Sequence, residues 1–71
     1  MKQNYPGELS FLKRQLQQHT KNLDRLKEQL VLYGAGDAPL RLLNQIEAEQ
    51  KKIEAFEDKI ILLTKTMAQD S

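Results

Sequence analysis

The sequence predicts an all-α fold, an antiparallel two-helix hairpin of the coiled-coil type. Two segments carry apolar residues at alternating spacings of three and four, which places those side chains along one stripe of an α-helix. Between them lies a short stretch with glycines and a proline, residues 34–39. A chain of 71 residues allows one small domain, so we treat residues 1–71 as a single helical-hairpin domain.

The first segment predicts a helix over about residues 7–33. Pro6 and Gly7 precede the apolar pattern, and proline is tolerated only near the start of a helix. The first half of the predicted seam inside the hairpin comprises Leu9, Leu12, Leu16, His19, Leu23, Leu26 and Leu30, and Tyr33 continues its spacing.

The second segment predicts a helix over about residues 38–68. Pro39 lies at its start, and its interior contains neither glycine nor proline, as a stable helix requires. The second half of the predicted seam comprises Leu42, Ile46, Glu49, Ile53, Phe56, Ile60 and Leu63.

Residues 34–37 are predicted to form the turn, with Gly36 at the fold point. Gly34 follows the first helix, where a left-handed C-cap favours glycine. Asp37 is predicted to be the N-cap of the second helix, and Pro39 to lie in its first turn, where a missing N–H costs nothing. The stretch lacks the preceding strand and third glycine of a dinucleotide fingerprint, and the Gly-Lys-Ser/Thr ending of a phosphate loop. It therefore predicts a connection between helices.

The two halves of the seam match when the chain is folded at Gly36. Leu30 then lies opposite Leu42, and the polar residues His19 and Glu49 fall in neighbouring layers. A buried polar layer fixes the alignment or the oligomeric state of coiled coils, and this is the interpretation we favour. A His–carboxylate pair is also the arrangement of a general base, but the pattern brings no nucleophile opposite it.

Further apolar residues lie off the seam, in groups near the turn and near the open end of the hairpin. A stripe wider than the seam predicts a helix bundle rather than an isolated pair of helices. The natural closure is a homodimer of two hairpins, which forms a four-helix bundle with twofold symmetry. The predicted partner interface consists of Phe11, Val31, Leu32, Leu43, Ile61, Leu62 and Met67.

No catalytic, cofactor-binding or metal-binding residues are predicted. The chain has no cysteine and one histidine, so a thiolate zinc site is excluded. Its longest apolar run, residues 60–63, is far shorter than the ~20 residues that span a bilayer. We therefore expect a non-enzymatic, cytoplasmic protein–protein interaction module that has no cofactor, small-molecule substrate or membrane contact.

The stretch "LYGAGDAPLRLLNQIEAEQKKIEAFEDKI" resembles the short helical-hairpin modules at the ends of bacterial signalling and conflict proteins that carry STAND-type NTPase, TIR or caspase-like effector domains. The resemblance covers residues 9–63, with departures at His19 and at Phe56, where the pattern has leucine. It implies an adaptor that couples or multimerises larger proteins through helix packing. The matching residues are Leu26, Leu30, Tyr33, Gly34, Pro39, Leu43, Ile46, Glu47, Ile53 and Glu57.

The alternative function is that of a small RNA-binding four-helix bundle, resembling the plasmid copy-control Rop hairpin. It would use the basic outer side of the first helix, which Asp24 and Glu28 dilute. Eleven Lys and Arg against ten Asp and Glu give no basic excess of the kind that nucleic-acid binding favours, so we expect a protein partner instead. The basic residues concerned are Lys13, Arg14, Lys21, Arg25 and Lys27.

Overall fold

In a computed structural model, the chain forms two α-helices that pack against each other, and the structure describes residues 5–34 and 36–69. Helix α1 is Tyr5–Leu32 and helix α2 is Leu40–Gln69. Tyr5 and Thr66 line the same groove, so the helices run antiparallel in a rod of 53 × 16 × 14 Å. Within the described ranges there is no strand, and the predicted all-α hairpin is confirmed. Over the same residues, neither helix has the length and apolar content that crossing a membrane requires.

Helix α1 begins at Tyr5 rather than near residue 7, so Pro6 lies in its first turn. The first four N–H groups of a helix have no partner within it, and the missing N–H of proline is therefore harmless there. Glu8, also in this turn, places its negative charge near the positive end of the helix dipole. The pattern predicted a later start because it treated the proline as a boundary.

Gly36, rather than Gly34, has the left-handed conformation in the turn. Gly36 has a φ of 83°, whereas Gly34 lies outside the positive-φ region, so the predicted left-handed cap at Gly34 is wrong. The Asp37 N–H donates to the Gly34 carbonyl oxygen at 3.0 Å, closing a four-residue turn. A positive φ at the third residue of such a turn favours glycine. α1 itself ends with the Tyr33 N–H donating to the Leu30 carbonyl at 3.1 Å.

Helix α2 begins at Leu40, two residues later than predicted, with Pro39 at its N-cap. The Pro39 carbonyl accepts the N–H groups of Leu42 and Leu43 at 3.0 and 3.3 Å. The prediction that Asp37 caps this helix is therefore wrong, and Pro39 precedes the first turn instead of lying within it. Proline disfavours the α conformation of the residue before it, so the helix starts only after Ala38.

The interface between the helices is narrow. Among the described residues, Leu23 and Leu42 alone are buried. The other apolar seam residues on α1 and α2 are half-buried, because each helix has one neighbour and is covered on one side. These half-buried residues are Leu9, Leu12, Leu16, Leu26, Leu30, Ile46, Ile53, Phe56, Ile60 and Leu63.

We expect Gly36→Ala to lower the free energy of unfolding by about 1 kcal/mol, because an L side chain in the left-handed region meets the backbone. Gly34→Ala is the matched control. Its Cβ would lie 3.1 Å from an exposed carboxylate oxygen of Asp37, which can rotate away. Chemical denaturation followed by circular dichroism compares the two variants. Equal losses would show that the conformation of Gly36 is unimportant for the turn.

Candidate association surface and polar layer

A hydrogen bond between His19 and Glu49 crosses the seam. His19 Nδ1 lies 2.6 Å from Glu49 Oε2, and the two side chains are 17% and 15% exposed. With the carboxylate ionised, the Nδ1–H of the imidazole donates and Glu49 accepts. Lys52 Nζ lies 3.9 Å from the other carboxylate oxygen of Glu49. Gln50, the residue after Glu49 in α2, is exposed.

The imidazole of His19 also packs on an aromatic ring. Its centroid lies 5.4 Å from that of Phe56, with 18° between the ring planes. Lys59 Nζ lies 5.6 Å from the Phe56 centroid, a distance suited to a cation–π contact. His19 therefore contacts a carboxylate and an aromatic ring of α2 that lie two helical turns apart. Sliding either helix by a turn would separate both contacts, so this layer specifies one alignment.

One long side of the hairpin, which we call the basic flank, carries Arg25, Arg41, Lys52 and Lys59. A groove that spans both helices defines this side, since Arg25 lines it together with Gln45 of α2. Lys52 and Lys59 follow Gln45 at heptad intervals and lie on the same side of α2. A second groove of about 330 Å³ continues along this flank at the open end, where it is lined by Tyr5, Glu8, Leu12, Lys59, Leu62, Leu63 and Thr66.

The opposite side, which we call the mixed flank, carries charges of both signs. On α1 its heptad positions are Lys13, Thr20 and Lys27, and on α2 they are Leu43, Gln50 and Glu57. The lysines of this flank therefore stand on α1 and its glutamates on α2, and Asp24 is a carboxylate on α1. The outer positions of this flank are Asp24 and Val31 on α1 and Leu40, Glu47, Glu54 and Ile61 on α2.

The predicted partner interface divides between the two flanks and the seam. Met67 continues the seam and is half-buried. By heptad position, Val31, Leu43 and Ile61 lie on the mixed flank and Phe11, Leu32 and Leu62 on the basic flank, all exposed. Phe11 and Ile61, which the pattern grouped by height along the hairpin, are thus on opposite sides.

Sequence reasoning missed Leu40, whose side chain is 71% exposed at the turn end of the mixed flank. Its position three residues before Leu43 places both on one side of α2, and this spacing was the available signal. Tyr33, which continues the seam spacing, is exposed at 44% because α1 ends before it.

We expect His19→Leu to lower the free energy of unfolding by roughly 1–3 kcal/mol, because it leaves the Glu49 carboxylate without its cross-helix donor. The double variant His19→Leu with Glu49→Leu should recover this loss or exceed the wild type, since packed apolar residues often replace a buried polar pair without cost. Gln50→Leu, at an exposed neighbouring position, is the control. Thermal melts measure these differences. If the double variant is no more stable than His19→Leu, the His19–Glu49 pair has a net stabilising role and the expectation is wrong.

The resemblance to bacterial helical-hairpin modules rests on the leucine spacing and the tyrosine–glycine turn, both of which belong to the connection and seam just described. Comparison with protein families, curated proteins and solved structures finds no match.

Proposed function

We propose that the chain is a non-enzymatic protein–protein association module, whose hairpin completes its core against further helices. The observation that carries this proposal is the half-buried seam. A two-helix rod leaves most of its apolar positions partly in water, and only Leu23 and Leu42 of the described residues are buried. Helices gain most of their stability from burying an apolar face, so a face left open favours a partner.

The dimensions of the hairpin support this proposal. Its radius of gyration is 16.3 Å, whereas a compact domain of this length has about 11 Å. It exposes 5751 Å² of surface, about 1,200 Å² more than the ~4,500 Å² typical of a monomer of its mass. A standard protein interface buries ~800 Å² on each partner. The excess surface is therefore large enough for one such interface.

An adaptor in a bacterial signalling or conflict system is the context that we propose, on the resemblance of the seam and turn. In such a module, the His19–Glu49 layer selects the alignment of the helices, and apolar residues supply the binding energy. A cytoplasmic location stays a prediction.

RNA binding is the second candidate function because the basic flank groups four cations. Among the described residues, Glu8 is the single carboxylate on this flank. Of the basic α1 residues that the sequence indicated, Arg25 lies on this flank, whereas the others lie on the mixed flank or the outer face. Phosphate contacts make affinity fall steeply with salt. RNA binding would be supported if the RNA affinity fell steeply with salt and Lys52→Gln made this fall less steep. Lys65→Gln, on the outer face, is the control and should leave the salt dependence unchanged.

We expect the melting temperature and helix content of the chain to rise over about a hundredfold increase in concentration, because association stabilises the folded state by mass action. Leu43→Glu should lower both the mass in solution and the helix content, whereas Asn44→Glu, exposed and directed outward, should leave them unchanged. Analytical ultracentrifugation and circular dichroism provide these measurements.

A fully helical monomer with a concentration-independent melting temperature and no binding of a hydrophobic dye would contradict the association function. A poorly helical monomer that binds such a dye would support association with a different helical protein.

A further inference from the structure

We infer that a second copy of this chain covers the mixed flank, with the two turns at the same end and α1 of each copy lying on α2 of the other. This inference rests on the proposed association function and names its partner and geometry. The twofold axis then runs parallel to the helices between the two hairpins. The resulting assembly is a four-helix bundle that leaves both basic flanks outside.

Charge excludes the basic flank as the self-contact. Arg25, Arg41, Lys52 and Lys59 are all exposed there, and Glu8 is the sole carboxylate of this flank among the described residues. Two such flanks brought together would oppose eight cations with two carboxylates. Like charges in close contact disfavour a docking arrangement. The mixed flank, by contrast, holds Lys13, Lys27 and Asp24 on α1 and three glutamates on α2, so charges of both signs face a second copy.

The same charges select the orientation of the second copy. With the turns together, residues at equal height face each other across the interface, so Lys13 meets Glu57 of the second copy and Lys27 meets its Glu47. With the turns at opposite ends, α1 would lie on α1, and Lys13 would meet Lys27 instead. With the turns at the same end, which we call the parallel arrangement, these lysine–glutamate contacts replace the lysine–lysine contacts of the opposite arrangement. Asp24 also lies at the height of Glu47 of the second copy, and its charge offsets part of the attraction between Lys27 and Glu47. Complementary flanking charges set orientation in helical bundles.

The exposed apolar residues of the turn end agree with this orientation. Val31 is 81% exposed on α1, at the height of Leu40 and Leu43 on α2. In the parallel arrangement, Val31 of each copy packs on this leucine pair of the other. At the height of the polar layer, Thr20 faces Gln50 of the second copy, so polar side chains meet polar ones there.

A charge exchange between chains tests the contact. Lys13→Glu and Glu57→Lys should each weaken dimerisation about tenfold, because each places like charges across the interface twice. An equimolar mixture of the two variants regains both attractive contacts, although the charges within each chain remain mismatched. We therefore expect the mixture to melt above either variant alone. Arg14→Glu mixed with Asp58→Lys is the control, since both residues are exposed on the outer faces. A mixture that melts no higher than its components would overturn the inference.

Cysteine crosslinking tests the orientation directly, and the chain has no cysteine of its own. Val31→Cys mixed with Leu43→Cys should form a heterodimeric crosslink, identified by mass. Leu32→Cys mixed with Leu43→Cys is the matched control, because Leu32 is equally exposed but lies on the basic flank. Predominant crosslinking of Leu43→Cys with Ile61→Cys would establish the opposite orientation and contradict the inference.

Different results would refute the association function and the geometry of the dimer. A dimer that crosslinks through Leu32→Cys refutes the mixed flank as the contact while association stands. A poorly helical monomer without crosslinks refutes the second copy as partner, and association with another helical protein survives. A stable, concentration-independent monomer refutes both.

Discussion

Two helices can cover each other on one side only, and this constraint shapes everything else in the hairpin. The seam is regular over its whole length, yet its leucines and isoleucines other than Leu23 and Leu42 stay half-buried, because each helix is covered on one side only. Fully burying such a side chain contributes roughly 1.5–3 kcal/mol, so each seam residue of the isolated hairpin gains part of that amount. Ordering the chain costs roughly 1.5 kcal/mol per residue, which makes a partner energetically important.

An apolar seam of this regularity permits several alignments, because one leucine layer resembles the next. His19 removes that freedom, since its imidazole needs both the Glu49 carboxylate and the Phe56 ring, each at a fixed height on α2. A polar layer costs stability relative to an apolar one but penalises every shifted pairing with an unpaired half-buried group. The layer therefore contributes specificity, and the leucines contribute stability.

Heptad spacing predicted the two packed helices because side-chain periodicity directly reports which stripe of a helix is covered. The turn was predicted less well. Local glycine and aspartate preferences favoured Gly34 and Asp37 as caps, whereas the chain uses Gly36 and Pro39, because the proline restricts Ala38 and delays α2. The division of the exposed apolar residues between the two flanks was also not predicted, because the sequence analysis grouped them only by their height along the hairpin. Assigning Phe11 and Ile61 to opposite sides requires the direction of each side chain around its helix as well as its height.

A hairpin has two flanks, and an assembly that used both would grow without end. Head-to-tail contacts that do not close produce filaments, whereas a contact that is its own complement closes as a dimer. The distribution of charge suits the dimer that we infer. Lysines on α1 and glutamates on α2 make the mixed flank complementary to itself, while the cations of the basic flank would repel a third copy. Phe11 and Leu62 are exposed on the basic flank, but they do not favour binding of another hairpin there. A copy that approached through its own basic flank would bring Lys59 and Arg41 close to the same cations, and the like charges would repel.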